Sequence, residues 1–290
     1  MVVNDPKFEE NVRAQTQGVI ATIAGVLVLS TDALLVRLIP GDPLTVAFWR
    51  GALMALGFWA IYAMQSRFLG VATRTAPSRA TLLAAVLFTG STLCFVSAVK
   101  HTAVANALLI VATVPLSAAI ISRVVLGERV RRATWLAIAG AIGGLGLIFV
   151  GDLGVGNLFG NALALGAAVF LGGYFTVLRS GRVDTALPAL ILAGIASAVV
   201  ASLFADDLRV PIDNWPYVLL LGLVVMPVSF ALISLGPKSL PAAEVGLIML
   251  LEAVFGVAWA WVFLNEAPTW NAGVGGTLII LSLALRAVFR

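Results

Sequence analysis

Apolar residues in this chain come in long runs, without the strict alternation of a strand or the single stripe of a surface helix. At about 20 apolar residues per bilayer crossing, the pattern predicts ten helices near 17–37, 43–64, 79–100, 103–126, 133–151, 157–178, 186–205, 214–235, 240–264 and 269–289. Turn chemistry separates them. Pro40-Gly41-Asp42-Pro43, Gly151-Asp152, Asp206-Asp207, Gly236-Pro237 and Glu266-Ala267-Pro268 stand where a continuing helix would be broken. The polar N-terminal segment, with Asp5, Lys7, Glu9, Glu10 and Arg13, delays the first run, and no small-residue cleavage site follows that run, so it is expected to stay as a spanning helix. No connection is long enough for a separate domain.

Composition points the same way. Hydrophobic residues make up 61% of the 290 and charged residues 11%, with a mean hydropathy of +1.06, far from the roughly half-apolar, quarter-charged mix of soluble domains. In a membrane protein the placement of Lys and Arg outweighs the net charge of +4. With the N-terminus assigned to the cytoplasm, 14 of the 18 Lys and Arg fall inside, Arg37, Lys100 and Arg209 outside, and Arg50 within a span. That bias follows the positive-inside rule, favours an even number of spans, and puts both termini in the cytoplasm. Cys94 and His101 are each the single residue of their type, which argues against disulfide, redox and zinc chemistry; no cofactor or metal site is expected.

The phrases Leu126-Gly127-Glu128-Arg129 and Leu264-Asn265-Glu266-Ala267 each close an apolar run, 138 positions apart (266 − 128). The same shift aligns Lys100 with Lys238. The halves therefore read as two copies, residues 1–151 and 152–290. Five helices per copy is an odd number, so the second copy must cross the membrane in the opposite sense. Many secondary transporters are built this way, with binding near the midplane between the repeats.

Several stretches resemble the drug/metabolite transporter superfamily, and within it the ten-helix EamA family of bacterial exporters. These are Pro43-Leu44-Thr45-Val46-Ala47-Phe48-Trp49-Arg50, Thr113-Val114-Pro115-Leu116 with the Glu128 phrase, and Leu251-Glu252-Ala253 with Leu264-Asn265-Glu266-Ala267-Pro268. The resemblance spans nearly the whole chain. It implies an all-α integral membrane protein, two inverted five-helix repeats around a central cavity opening alternately to either side, and export of amino acids, aromatic ones included. One departure stands out: where the family often has Glu-Pro in the ninth helix, this chain has Glu252-Ala253.

Glu252 lies halfway along the ninth helix, where an ionised carboxylate is costly and reads first as functional. It is a candidate for binding a substrate ammonium or carrying a proton; a hydrogen-bonded packing role is the alternative. Asp32 and Arg50 lie at similar depth on adjacent antiparallel helices and are expected to pair and fix the first hairpin; the alternative is that Arg50 is partly free to attract a substrate carboxylate. Pro115 and Pro227 sit mid-run and are expected to bend their helices. Asn106 and Glu244 are placed at the outer and inner mouths as gate candidates. Phe95, Phe170, Tyr174, Phe230 and Trp259, with Thr113, Ser117 and Ser229, are candidates for the lining of an apolar pocket. Glu128 and Glu266 precede the fifth and tenth helices, where each carboxylate is expected to cap the helix that follows.

No G-x-x-x-x-G-K-[ST] run is present, so uphill movement must draw on an ion, proton or substrate gradient. The expected protein is a non-enzymatic, multi-pass exporter of the bacterial inner membrane. Its partners are a small-molecule substrate and the lipid bilayer, without nucleic acid, and a monomer is compatible with the sequence. The alternatives are a proton-coupled exporter of drugs or organic cations and, from another class, an intramembrane enzyme, which would need catalytic groups clustered at one depth.

Overall fold

The computed structural model describes residues 6–69, 77–127, 132–150, 155–180, 186–233 and 242–288. They are helical throughout, with no strand among them. The helices are α1 (Pro6–Leu29), α2 (Asp32–Leu38), α3 (Pro43–Leu69), α4 (Arg79–His101), α5 (Val104–Val111), α6 (Val114–Leu126), α7 (Arg132–Val150), α8 (Val155–Arg179), α9 (Ala186–Phe204), α10 (Trp215–Leu219), α11 (Met226–Ile233), α12 (Ala242–Leu264) and α13 (Trp270–Val288). Seven described stretches are long and apolar enough to cross a membrane: Gln15–Leu38, Pro43–Arg67, Arg79–His101, Val104–Leu126, Asn157–Leu178, Ala186–Phe204 and Ile212–Ile233. Trp135–Val150 and Ile248–Leu264 are shorter apolar helices. Glu128 and Lys238 lie outside the described residues. Glu244 falls in α12, but its side chain is not among those described.

Local chemistry sets the ends. Ser78 Oγ accepts the Thr81 N–H at 3.1 Å and caps α4; Thr269 Oγ1 accepts the Ala272 N–H at 3.2 Å at the start of α13. The C-terminal ends of α6 and α12 are alike: Gly127 (φ 67°) and Asn265 (φ 56°) both turn left-handed immediately after the last helical residue, the conformation that ends many helices and that glycine and asparagine tolerate best. These two residues are 138 apart (265 − 127), as are the starts of α5 and α12 (242 − 104) and of α7 and α13 (270 − 132).

Three apolar stretches are interrupted inside. Ser30 and Thr31 separate α1 from α2, Ala112 and Thr113 separate α5 from α6, and a π-helical turn, Leu220–Val225, joins α10 to α11. The hydroxyls at these breaks fold back onto carbonyls one turn earlier: Ser30 onto Leu27, Thr31 onto Val28, and Thr113 onto Ile110. These breaks correct the expectation for the prolines. Pro115 is the second residue of α6, in its first turn just after the break, where a backbone N–H would have no helical partner anyway, so it belongs to a helix start more than to a bend. Pro227 is the second residue of α11, directly behind the π turn, which displaces the backbone bonding that proline would otherwise interrupt.

The helices pack in pairs: α4 on α8, α3 on α9, α7 on α13 and α1 on α11. Small residues bring the backbones together. A Cβ on Gly51 would meet the Gly194 carbonyl oxygen at 2.7 Å, the close approach by which membrane helices associate where no hydrophobic drive exists. Helices α7 and α13 run antiparallel, Gly140 facing Ser282 and Gly144 facing Gly275.

Buried apolar residues form two cores. One holds Ala33, Val36, Ala47, Phe95, Leu108 and Leu250. The other holds Leu29, Met54, Phe58, Phe88, Tyr174 and Met226. The outward surface is equally apolar: Leu136, Leu203, Phe204 and Val262 are each more than half exposed, as a surface bathed in lipid requires.

Candidate functional site: a charged belt between two apolar cores

Along α1–α2 the cores change over between Leu29 and Ala33, and along α3 between Ala47 and Met54. Asp32 and Arg50 occupy those two changeovers. Both are 4% exposed. Arg50 Nη2 donates to Asp32 Oδ2 at 2.8 Å and Nε to Oδ1 at 3.2 Å. The Phe95 ring lies 5.9 Å from the guanidinium carbon, and Met226 Sδ is 3.1 Å from Nη2. Glu252, two residues beyond Leu250 of the first core, lies within electrostatic reach of both Asp32 and Arg50. Three ionisable groups from α2, α3 and α12 thus share one belt. Each stands near a helix interruption or between the two cores, and mutual compensation lessens the cost of burying the Asp32–Arg50 pair.

Two turns along α12 from Glu252, Trp259 Nε1 donates to Ser30 Oγ at 2.9 Å, tying α12 to the break that precedes Asp32. The other pocket candidates are distributed. Tyr174 and Phe230 each pack edge-on to Phe88, at 5.0 and 5.6 Å, and Phe58 meets Phe230 edge-on at 6.2 Å, so these rings fill the second core. Ser229 is fully buried and bonds the Val225 carbonyl at 2.5 Å. Thr113 is buried with its hydroxyl satisfied within the α5–α6 break. Ser117 backs onto Gly172 of α8, and Phe170 covers Gly90 while remaining 38% exposed. Of the aromatic candidates, the structure brings Phe95 to Arg50 and joins Trp259 to the α1–α2 break.

Asn106 requires a correction. It is 2% exposed, inside a helix in which every residue but the last is buried, so it packs in the core and does not line a mouth. Its neighbour His101 is the exposed residue there, its ring edge-on to Phe159 at 5.3 Å. Glu266 also differs from expectation. Thr269 caps α13, while the Glu266 carboxylate reaches across to α5, accepting the Val104 N–H at 3.2 Å on Oε2 and Arg37 Nε at 2.9 Å on Oε1. One residue beyond the left-handed Asn265, the Glu266 side chain points away from its own next helix and toward the first half of the chain. Arg37 Nη1 bonds the Val99 carbonyl at 2.9 Å, and Lys100 Nζ bonds the Ile39 carbonyl. Arg37 and Met226 carry contacts that sequence reasoning missed; neither sits in a phrase that marks it.

The model of the EamA-like transporter family matches residues 16–150 and again 158–287. The chain belongs to this family. The EamA-like chain is 26% identical over 278 residues to an uncharacterised transporter of Archaeoglobus fulgidus, covering 94% of this chain and 97% of that one. It is 26% identical over 243 residues to the pseudopaline exporter CntI of Pseudomonas aeruginosa, covering 82% and 83%. A solved crystal structure superposes with a TM-score of 0.69 at 20% identity, covering 95% of this chain and 98% of that one, so the two share a fold. This EamA-like chain is a multi-pass membrane transporter.

Proposed function

We propose that this transporter is a secondary exporter of amino acids and similar small metabolites, working by alternating access across the bacterial inner membrane. Ten crossings form two inverted five-helix units, residues 1–151 and 152–290, with both termini cytoplasmic. Support comes from the 138-residue register of helix ends and from the antiparallel course of α7 and α13, which occupy equivalent places in that register. The observation that carries the function is the belt: Asp32, Arg50 and Glu252 converge between the two cores, beside interrupted helices. Polar backbone and ionisable groups at that depth are expensive in lipid and mark substrate and proton pathways. The similarity to a pseudopaline exporter supports outward movement of a metabolite.

In this scheme Glu252 is the proton-carrying group. It takes a proton from one side, releases it to the other as access changes, and meets the substrate amine when ionised. An exporter of organic cations is the second reading, favoured by the same carboxyl. Purified protein in liposomes is to be loaded with labelled amino acids or organic cations and driven by an imposed pH gradient. Saturable, gradient-dependent movement of amino acids is expected; linear flux that no competitor saturates would instead identify a channel. Tags at both termini are expected to be protected in intact cells and a reporter within 206–211 exposed; an external C-terminus overturns the ten-crossing scheme.

A further inference from the structure

Arg50 holds a donor that no other group among the described residues uses. Nε and Nη2 are committed to Asp32, and Phe95 covers one face of the guanidinium. Nη1 has no hydrogen-bond partner, although the residue is 4% exposed. A guanidinium is planar with its donors fixed at its corners, so with the Nε–Nη2 edge on Asp32 the Nη1 hydrogens point away from that carboxylate, within the belt. Buried charged donors are ordinarily satisfied, because leaving one unpaired costs free energy without return. A counter-ion for Asp32 alone would not need this second corner.

Building on the transport function proposed above, we infer that Arg50 Nη1 is a fixed receptor for a carboxylate of the transported molecule, so that the substrate must carry an acid group. Three features define the class. One free nitrogen with Asp32 on its far edge suits a monoanion and disfavours a phosphate dianion, whose second charge Asp32 would repel. The Phe95 ring beside the guanidinium offers apolar surface to the rest of the molecule. Glu252, a second carboxyl in the same belt, answers an amine at the other end. The site therefore selects zwitterionic amino acids and rejects amines and organic cations that lack an acid.

The test uses the full chain in detergent and in liposomes, with the protein amino acids as probes, each against its own carboxamide, in a constant chloride background. Loss of a charge-assisted hydrogen bond predicts carboxamides about 10- to 100-fold weaker than the acids in thermal-shift titration and in competition for transport. Arg50→Lys keeps the charge beside Asp32 but lacks the fork, and is expected to bring that ratio to about two or below while the ligand-free melting temperature stays near wild type. A purely structural arginine would shift the melting temperature and leave the ratio alone. Should Arg50→Lys fail to fold, Arg50→Gln with Asp32→Asn keeps a neutral hydrogen-bonded pair and gives the same readout. Carboxamides equal to acids, or an unchanged ratio in the variant, would overturn the carboxylate receptor. Gradient-driven transport of amines alone overturns it too and leaves secondary transport standing. Absence of binding by every probe overturns it together with the amino-acid assignment.

Discussion

Two ion pairs among the described residues join an arginine to a carboxylate across separate elements, and they sit in opposite surroundings. The Arg37–Glu266 pair is partly open, its side chains 31% and 25% exposed, and its bonds reach three helices: both Glu266 oxygens and Arg37 Nε and Nη1 have partners. The Asp32–Arg50 pair is enclosed at 5% and 4%, yet it leaves one nitrogen unused. An exposed pair can leave donors to water at little cost, so any donor of Arg37 without a partner is unremarkable, and the bonds the pair does make form a clasp between α2, α5 and the α12–α13 turn. An enclosed pair has no such recourse, so incompleteness there indicates a site.

The sharpest way to break this contrast is Arg50→Met. It strands a buried carboxylate and is expected to lower stability by about 3–5 kcal/mol, read as a fall in melting temperature of the purified protein; adding Asp32→Leu removes the stranded charge and should restore most of the loss without restoring transport. A single variant as stable as wild type would mean that the belt is open to water. Glu252→Gln keeps shape and hydrogen bonding but cannot titrate. It should melt as wild type does and still exchange substrate between the two sides, yet lose its response to a pH gradient; full retention of that response would make Glu252 a packing residue. Glu266→Gln is the mildest: its amide cannot accept from both Arg37 and Val104, and the half-open setting limits the loss to about 1 kcal/mol, with substrate selectivity unchanged. A change in selectivity there would extend the transport pathway to the clasp.

Much of the helical plan was legible because bilayer crossings require long apolar runs, and Pro, Gly and Asp mark their ends. The register of Glu128 and Glu266 was legible because charge is scarce. What escaped has a common cause: apolar sequence looks the same whether it faces lipid, a neighbouring helix or a cavity. Asn106 and Tyr174 gave no sign that they were buried in cores, and Pro115 gave no sign that its run was already broken at Ala112–Thr113. The partner of Glu266 lay on a helix from the other half, 162 positions back (266 − 104) at Val104, beyond any local rule. Asp32 and Arg50 were locatable because scarcity makes each intramembrane charge seek another; the unused corner of the guanidinium is a matter of geometry that no spacing encodes.

The antiparallel seam of α7 and α13 has the form of an isologous contact, the kind that two identical subunits make across a two-fold axis. Gly140 meets Ser282 on one side of its centre, and Gly144 meets Gly275 and Ile279 on the other. In a true homodimer every substitution would appear twice at such a seam. Within one chain that obligation is absent, and under the two-copy reading proposed above the sides differ: Gly144 corresponds in register to Ser282 (282 − 138 = 144), a hydroxyl on one side and bare backbone on the other. On that reading, each side of the joint can be tuned independently.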